Sequence, residues 1–483
     1  MRTYIKLTLL LFVTAFTVQS CQDNDDIAPP ASLEIQDFIW KGMNQYYLWQ
    51  ADVPNLSDDR FADQTALNSF LRGYPVPEEL FDALRVSSSI DRFSWIVDDY
   101  LELEGSLQGT TKNNGVDFGL SYKPGSTTEI FGYVRYIIEN SDAATKNIKR
   151  GDFFTAVNGT QLTVSNYQSL LFGSNENYTL NLADFNGNAI VGNGKSVSLT
   201  KTVLTENPIL VNKVITLGAH KIGYLMYNGF YANFDTQLND AFGQLKTQGI
   251  TELVLDLRYN GGGSVQTATR LASMITGQFT GKVFAKQQWN KKINDYFEAE
   301  NPDALYNYFT DKIGSTAINS LNLTKVYILT SASSASASEL VINGLEPHIN
   351  VIQIGDVTVG KNVGSVTLYD SPTFGSENRN PKHKYAMQPI VLKIVNSVGF
   401  GDYFNGLQPD FLQKETISTY GILGDAAEPL LSTAIAKITG IGRMTKQSLG
   451  KEFEFFTDAK AAKGIQNQMY IEKAPEGLLK ALE

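Results

Sequence analysis

The sequence predicts an α/β core of alternating strands and helices, preceded by a β-rich domain and, ahead of that, a helical domain. Three observations lead there. Between about Gly218 and Lys414, strand-like and helix-like segments alternate, the signature of an α/β layer. Between about Gly105 and Thr202 the texture is one of short strands broken by Gly and Asn. From about Ser32 to Tyr100, apolar residues recur at helical spacing: Ile35, Phe38, Ile39 and Met43 fall at i, i+3, i+4 and i+8. The expected segments are 1–21 (leader), 22–31 (tether), 32–104 (helical domain), 105–202 (β-rich domain), 203–424 (α/β core) and 425–483 (helical tail).

Composition narrows the function. The chain has 483 residues with 40 basic against 50 acidic side chains, a net charge of −10, which argues against a phosphate-tracking nucleic-acid binder. With 42% hydrophobic residues it can fill real cores. Three histidines (His220, His348, His383) and one cysteine leave no His-rich or Cys-cluster metal site and no intramolecular disulfide. No metal or organic cofactor is expected.

The first residues read as an address. Arg2 and Lys6 precede a short apolar stretch, Leu7 to Val18, which is too short to span a bilayer core needing about 20 residues. It closes with Val18-Gln19-Ser20-Cys21, which resembles the lipobox of bacterial lipoproteins, in which the cysteine is lipidated; a simple secretory signal ending at a Cys is the other reading. The acidic run after Cys21 resembles the surface-export signal of Bacteroidota lipoproteins. The resemblance implies a cell-envelope lipoprotein held in the outer membrane, facing the periplasm or the cell surface.

Segments 63–72 and 77–84 read as further helices of a small aromatic-rich core with no evident chemistry. In the β-rich region, the strand Val134–Ile138, the run Asn140 to Ala144 and the turn Asn158-Gly159 resemble a PDZ domain. Such a domain adds a peptide as a strand to an open sheet edge. The matching edge is Val116, Phe118, Gly119 and Leu120, and the alternative is a groove that is occluded and merely structural.

Two segments of the α/β region stand out. A buried strand runs through Asp256 and Arg258 into Gly261-Gly262-Gly263 and then a helix; its exposed N–H groups would suit an anion or oxyanion, although taken alone the feature reads first as a structural glycine turn. The second is the run Ser331 to Ser338, which on composition alone is a flexible linker. A strand leads straight in, however, and an apolar helix straight out, which would lift a serine hydroxyl to a helix N-terminus. A nucleophilic serine needs a base. Lys361, in a glycine-flanked loop 25 residues after Ser336, is a candidate if burial frees its lone pair; otherwise it is a solvated surface lysine.

Taken in order, Ser334-Ala-Ser336-Ala-Ser-Glu339, Thr358-Val-Gly-Lys361, Asp256-Leu-Arg-Tyr-Asn-Gly-Gly-Gly263 and Gly401 to Asp410 resemble the C-terminal processing (tail-specific) proteases of peptidase family S41, across about 105–415. The resemblance implies a ClpP/crotonase-like layered α/β core with the PDZ-like domain preceding or inserted. It implies Ser336 as nucleophile, Lys361 as general base, and the N–H groups of Ala337 and Gly262 as oxyanion hole. The family's Gln four residues after the lysine is Ser365 here, a possible third member. The expected function is a serine endopeptidase acting on polypeptides or their C-terminal peptides. The rival is a catalytically silent peptide-binding or adaptor lipoprotein on the same scaffold. Oligomeric state is left open.

Overall fold

The structure is a computed structural model and describes residues 28–440, 453–460 and 468–472. The leader with Cys21 and most of the tether lie outside the described residues, as does much of the tail. The chain forms two compact units, which within the described residues comprise 28–45 with 49–91, and 46–48 with the remainder from Arg92.

The first unit is helical, as the 3.6-residue periodicity predicts. Helix α1 (Glu34–Tyr46) buries Ile39 and Met43. Helix α2 (Gln64–Leu71) begins where the Asp63 carboxylate accepts the Ala66 N–H at 2.8 Å, satisfying one orphan donor of the first turn. Helix α3 (Pro77–Ala83) starts on a proline, whose missing N–H costs nothing there. The unit stops at Asp91, short of the boundary expected at 104, because Trp95–Val97 leaves it to pair antiparallel with Ala386–Gln388.

The second unit contains an antiparallel sheet built from β1 (Val116–Tyr122), β2 (Ile130–Ile137), β3 (Phe153–Val157), β4 (Asn177–Phe185) and β5 (Ile190–Thr200). Its core holds Phe118, Leu120, Val134, Phe154, Leu180 and Leu199. Next come β6 (Ile209–Leu217), β7 (His220–Tyr227), α4 (Asp235–Thr247), β8 (Glu252–Asp256), the two-residue β9 (Gly263–Ser264), α5 (Val265–Thr276), β10 (Val283–Trp289) and β11 (Tyr306–Tyr308). The chain continues through β12 (Lys325–Thr330), α6 (Ala337–Leu345), β13 (Asn350–Gly355), β14 (Val363–Val366), β15 (Ile390–Asn396) and β16 (Phe411–Leu412).

One six-stranded sheet has the order β6-β7-β8-β12-β13-β16, parallel from β7 onward. Strands such as Leu253–Asp256 and Val326–Thr330 are buried throughout, as a parallel sheet covered on both faces requires. Helix α6 packs against β13 of this sheet and against β10 and β15 of a second sheet, so it is buried on every side and reads apolar nearly all round. Its three buried polar residues are satisfied: Asn343 donates to the Phe400 carbonyl at 3.0 Å, and Ser338 and Glu339 belong to the site described below.

The tail departs from the expected helices. Helix α7 (Pro429–Thr439) forms, but Phe455–Asp458 and Met469–Ile471 are strands, β17 and β18. Both are short and take their pairing from edges elsewhere in the fold. Strand β17 adds to the antiparallel sheet, giving β17-β1-β2-β3-β4-β5, and β18 completes the second sheet, β9-β18-β14-β15-β10-β11. Among the described residues, no helix is long and apolar enough to cross a membrane.

Candidate functional site

The serine run between β12 and α6 is fastened down hydroxyl by hydroxyl. Ser334 donates to the Leu257 carbonyl at 2.8 Å, Ser338 to the Asn260 carbonyl at 2.9 Å, and Ser331 to the Arg258 carbonyl. These bonds rivet the run to the segment that follows β8, so it is no flexible linker. Ser336 is the exception: its hydroxyl is buried and donates to no acceptor among the described residues.

Ser336 sits at the head of α6 with φ 65° and ψ −116°, a region that side chains other than glycine rarely adopt. Holding it there costs on the order of 1–3 kcal/mol and needs a surrounding that over-determines it. Glu339, one turn into the helix, supplies that. Its carboxylate accepts the Ser336 N–H at 2.7 Å, the Gly360 N–H at 2.7 Å, the Lys361 N–H at 2.9 Å and the Thr358 hydroxyl. One buried carboxylate therefore joins the backbone of Ser336 to the loop that carries Lys361. Burial pushes its pKa up, and the four donors pull it back only in part.

Lys361 is fully buried, its side-chain nitrogen 4.8 Å from the centre of the Phe93 ring. Burial disfavours the charged form of a lysine. The loop is strapped from outside by Arg92, which donates to the Gly360 carbonyl at 2.6 Å and the Phe404 carbonyl at 3.0 Å. Gly360 (φ 85°) admits no side chain, because a Cβ would fall 2.1 Å from the Phe404 carbonyl oxygen.

Gly262 faces Ser336 directly. With φ 110°, a Cβ there would lie 2.7 Å from the Ser336 hydroxyl oxygen and 2.6 Å from the Gln468 carbonyl oxygen. Its N–H donates to Asn260 Oδ1 at 2.9 Å, whereas the next N–H, of Gly263, donates to the Gln468 carbonyl at 2.5 Å. Ala337 is the first residue of α6, where an N–H has no acceptor within the helix. The structure thus brings Ser336, Lys361, Ala337 and Gly262 into one neighbourhood around Glu339.

Behind the glycines, a buried ion network fixes the strand end. Arg258 bonds Asp256 at 3.0 Å, Glu428 at 2.6 Å and Glu415 at 2.8 Å, and Glu415 also accepts from Arg150 at 2.6 Å. Burial alone would raise the Glu415 pKa, but Arg150 and Arg258 hold it down at about 2.

Ser365 lies in β14, and its hydroxyl donates to the Met469 carbonyl at 3.2 Å, so this hydroxyl is turned to the tail strand. Val116, Phe118, Gly119 and Leu120 lie on β1 as an edge, and that edge is occupied. Asp458 pairs with Gly119, Thr457 with Leu120, and the Ala459 N–H donates to the Phe118 carbonyl at 2.9 Å. The three histidines are elsewhere, His220 on Glu252, His348 on the Val283 carbonyl and His383 on Asp370.

Glu339 closes the Ser334-to-Glu339 motif but is given no role by the sequence, although a signal is present: Ser followed three residues later by Glu is a helix-start spacing. Phe93 and the tail strands carried no comparable signal.

A model of peptidase family S41 matches residues 221–373, and the model of its N-terminal domain matches 34–95. A carboxyl-terminal-processing protease of Picosynechococcus is 27% identical over 246 residues, 51% of this chain and 51% of that protein. A chloroplastic C-terminal processing peptidase of Tetradesmus obliquus is 24% identical over 66% of this chain and 65% of its own length. The chain thus spans about half to two thirds of these relatives. Among solved structures, one from Bacteroides fragilis assigned to the S41 proteases superposes with a TM-score of 0.64 at 25% identity, covering 86% of this chain and 99% of that one.

Proposed function

We propose that the chain, whose residues 221–373 and 34–95 match the models of peptidase family S41 and of its N-terminal domain, is a serine endopeptidase of that family that cleaves polypeptides with a Ser336–Lys361 dyad. The observation that carries this reading is the Glu339 carboxylate, which binds the N–H of a strained, buried serine and the N–H of a buried lysine at once. Ser336 Oγ attacks the substrate carbonyl while the neutral amine of Lys361 takes its proton. The ammonium then protonates the leaving amine, and water, activated by Lys361, releases the acyl group. The N–H groups of Ala337 and Gly262 receive the oxyanion, Gly262 by giving up Asn260. Ser365 is free to join the lysine only once it leaves Met469.

The β1 edge, read as PDZ-like, would take a substrate's C-terminal stretch as an added strand. A leader ending at a lipidated Cys21 would tie the enzyme to the cell envelope, at the outer membrane.

The test is labelling with a fluorophosphonate probe. Wild type should label, and Ser336→Ala and Lys361→Ala should not. Absence of labelling even at pH 9 with a C-terminal peptide added would favour the silent peptide-binding reading.

A further inference from the structure

The tail strands occupy both places where that reading puts a substrate. Strand β17 is antiparallel to β1, its backbone bonded from Glu454 to Ala459, and the Phe456 ring meets Tyr122 and Tyr167 edge-to-face at centroid distances of 5.3 and 5.2 Å. Strand β18 lies between β9, at the glycine loop, and β14, just past the lysine, pairing parallel with each. These two strands are joined in the sheet only through it, so they form a slot one strand wide. In that slot the Gln468 carbonyl already rests on the Gly263 N–H, on the side of Gly262 where the Ser336 hydroxyl stands. The slot is filled as an interior is: Met469 is fully buried and Tyr470 nearly so.

A third contact links the two places. The Asp458 carboxylate, on β17, is bonded to Arg135 of β2 at 3.1 Å and to the Ser333 hydroxyl at 2.9 Å, three residues before Ser336. Arg135 also donates to Ser333 at 2.9 Å. Lys460 donates to the Asn228 carbonyl at 2.8 Å.

We propose that the chain's own 453–460 and 468–472 segments are the resident occupant of the substrate path, and that a polypeptide substrate gains access to Ser336 by displacing them. The inference rests on the dyad reading above. It also states the class of substrate: an extended chain able to add a strand at two edges, with large apolar side chains where Phe456 and Met469 now sit.

The test compares three forms: the full chain, a chain ending at residue 452, and the full-length Asp458→Ala variant, which keeps β17 and β18 but loses the Arg135–Ser333 anchor. Fluorophosphonate labelling should be at least tenfold faster in the shortened chain and intermediate in Asp458→Ala. A synthetic peptide of residues 453–472 added to the shortened chain should restore slow labelling. Equal rates in the full and shortened chains would overturn the inference. So would loss of the tail from wild type but not from Ser336→Ala by mass spectrometry, which would make it a one-time substrate. If no form labels, the dyad reading falls, and the occupant is judged by fluorescence anisotropy of the labelled peptide. Saturable binding to the shortened chain but not the full chain supports it; no binding, or equal binding, overturns it. If the shortened chain fails to fold, Asp458→Ala decides: labelling no faster than wild type overturns the inference.

Discussion

The Ser336 N–H and the Glu339 carboxylate are 2.7 Å apart, and through the same oxygen Glu339 also reaches the Lys361 N–H. Replacing this acceptor with an amide puts N–H groups where N–H groups already point. Glu339→Gln should therefore lower the fluorophosphonate labelling rate about 10²-fold, the usual cost of misplacing a reacting group by about 1 Å. Each buried donor left unsatisfied should cost about 1–3 kcal/mol of stability. As a positioning residue, its loss should reduce kcat with little change in KM. An unchanged kcat would show that the carboxylate serves stability alone.

Gly262→Ala places a methyl group 2.7 Å from the Ser336 hydroxyl and 2.6 Å from the Gln468 carbonyl. Labelling should be abolished. The urea midpoint should also fall, because φ 110° strains any residue with a side chain. Retention of wild-type labelling would mean that the loop moves away from Ser336 before reaction.

Glu415 sets an acid limit. Its pKa is held at about 2 in the fold against 4.5 in the unfolded chain. It therefore contributes stability that is complete above pH 4.5 and is lost as pH falls towards 2, about 3 kcal/mol in all. Glu415→Gln should be less stable than wild type at pH 7, and the gap in urea midpoint should narrow at pH 3.

Asp117 acts in the opposite sense. Burial pushes its pKa up to about 7, against the pull of Lys460 and Arg135. The unfolded chain ionises first, so the fold is favoured below pH 3.8 and loses stability as pH rises to 7, at most about 4 kcal/mol. Asp117→Asn should raise the urea midpoint at pH 8.5 and leave it nearly unchanged near pH 4. An equal effect at both values would mean that the carboxyl is not buried as described.

The order of strands and helices around Ser336 was legible because buried parallel strands and an apolar helix leave strong periodic runs. Helices α2 and α3 fell within a residue or two of their expected ends, since Asp63 and Pro77 mark them chemically. Glu339 was legible only as the last residue of a motif; its grip on the 358–361 loop comes from an approach across 22 residues that no local pattern encodes. Strands β17 and β18 were illegible for a related reason. Four residues, Phe-Phe-Thr-Asp, and three, Met-Tyr-Ile, have no strand character sufficient by themselves and depend on edges more than 100 residues away.

The bond between Met469 and Ser365 has a further consequence, because its two ends belong to one chain. A covalently tethered strand competes with any free peptide at an effective concentration on the order of millimolar, whatever the amount of enzyme. Diluting the protein does not relieve that competition. A free peptide therefore meets a threshold set by connectivity rather than by contacts, and polypeptides that engage both edges together are the ones equipped to cross it.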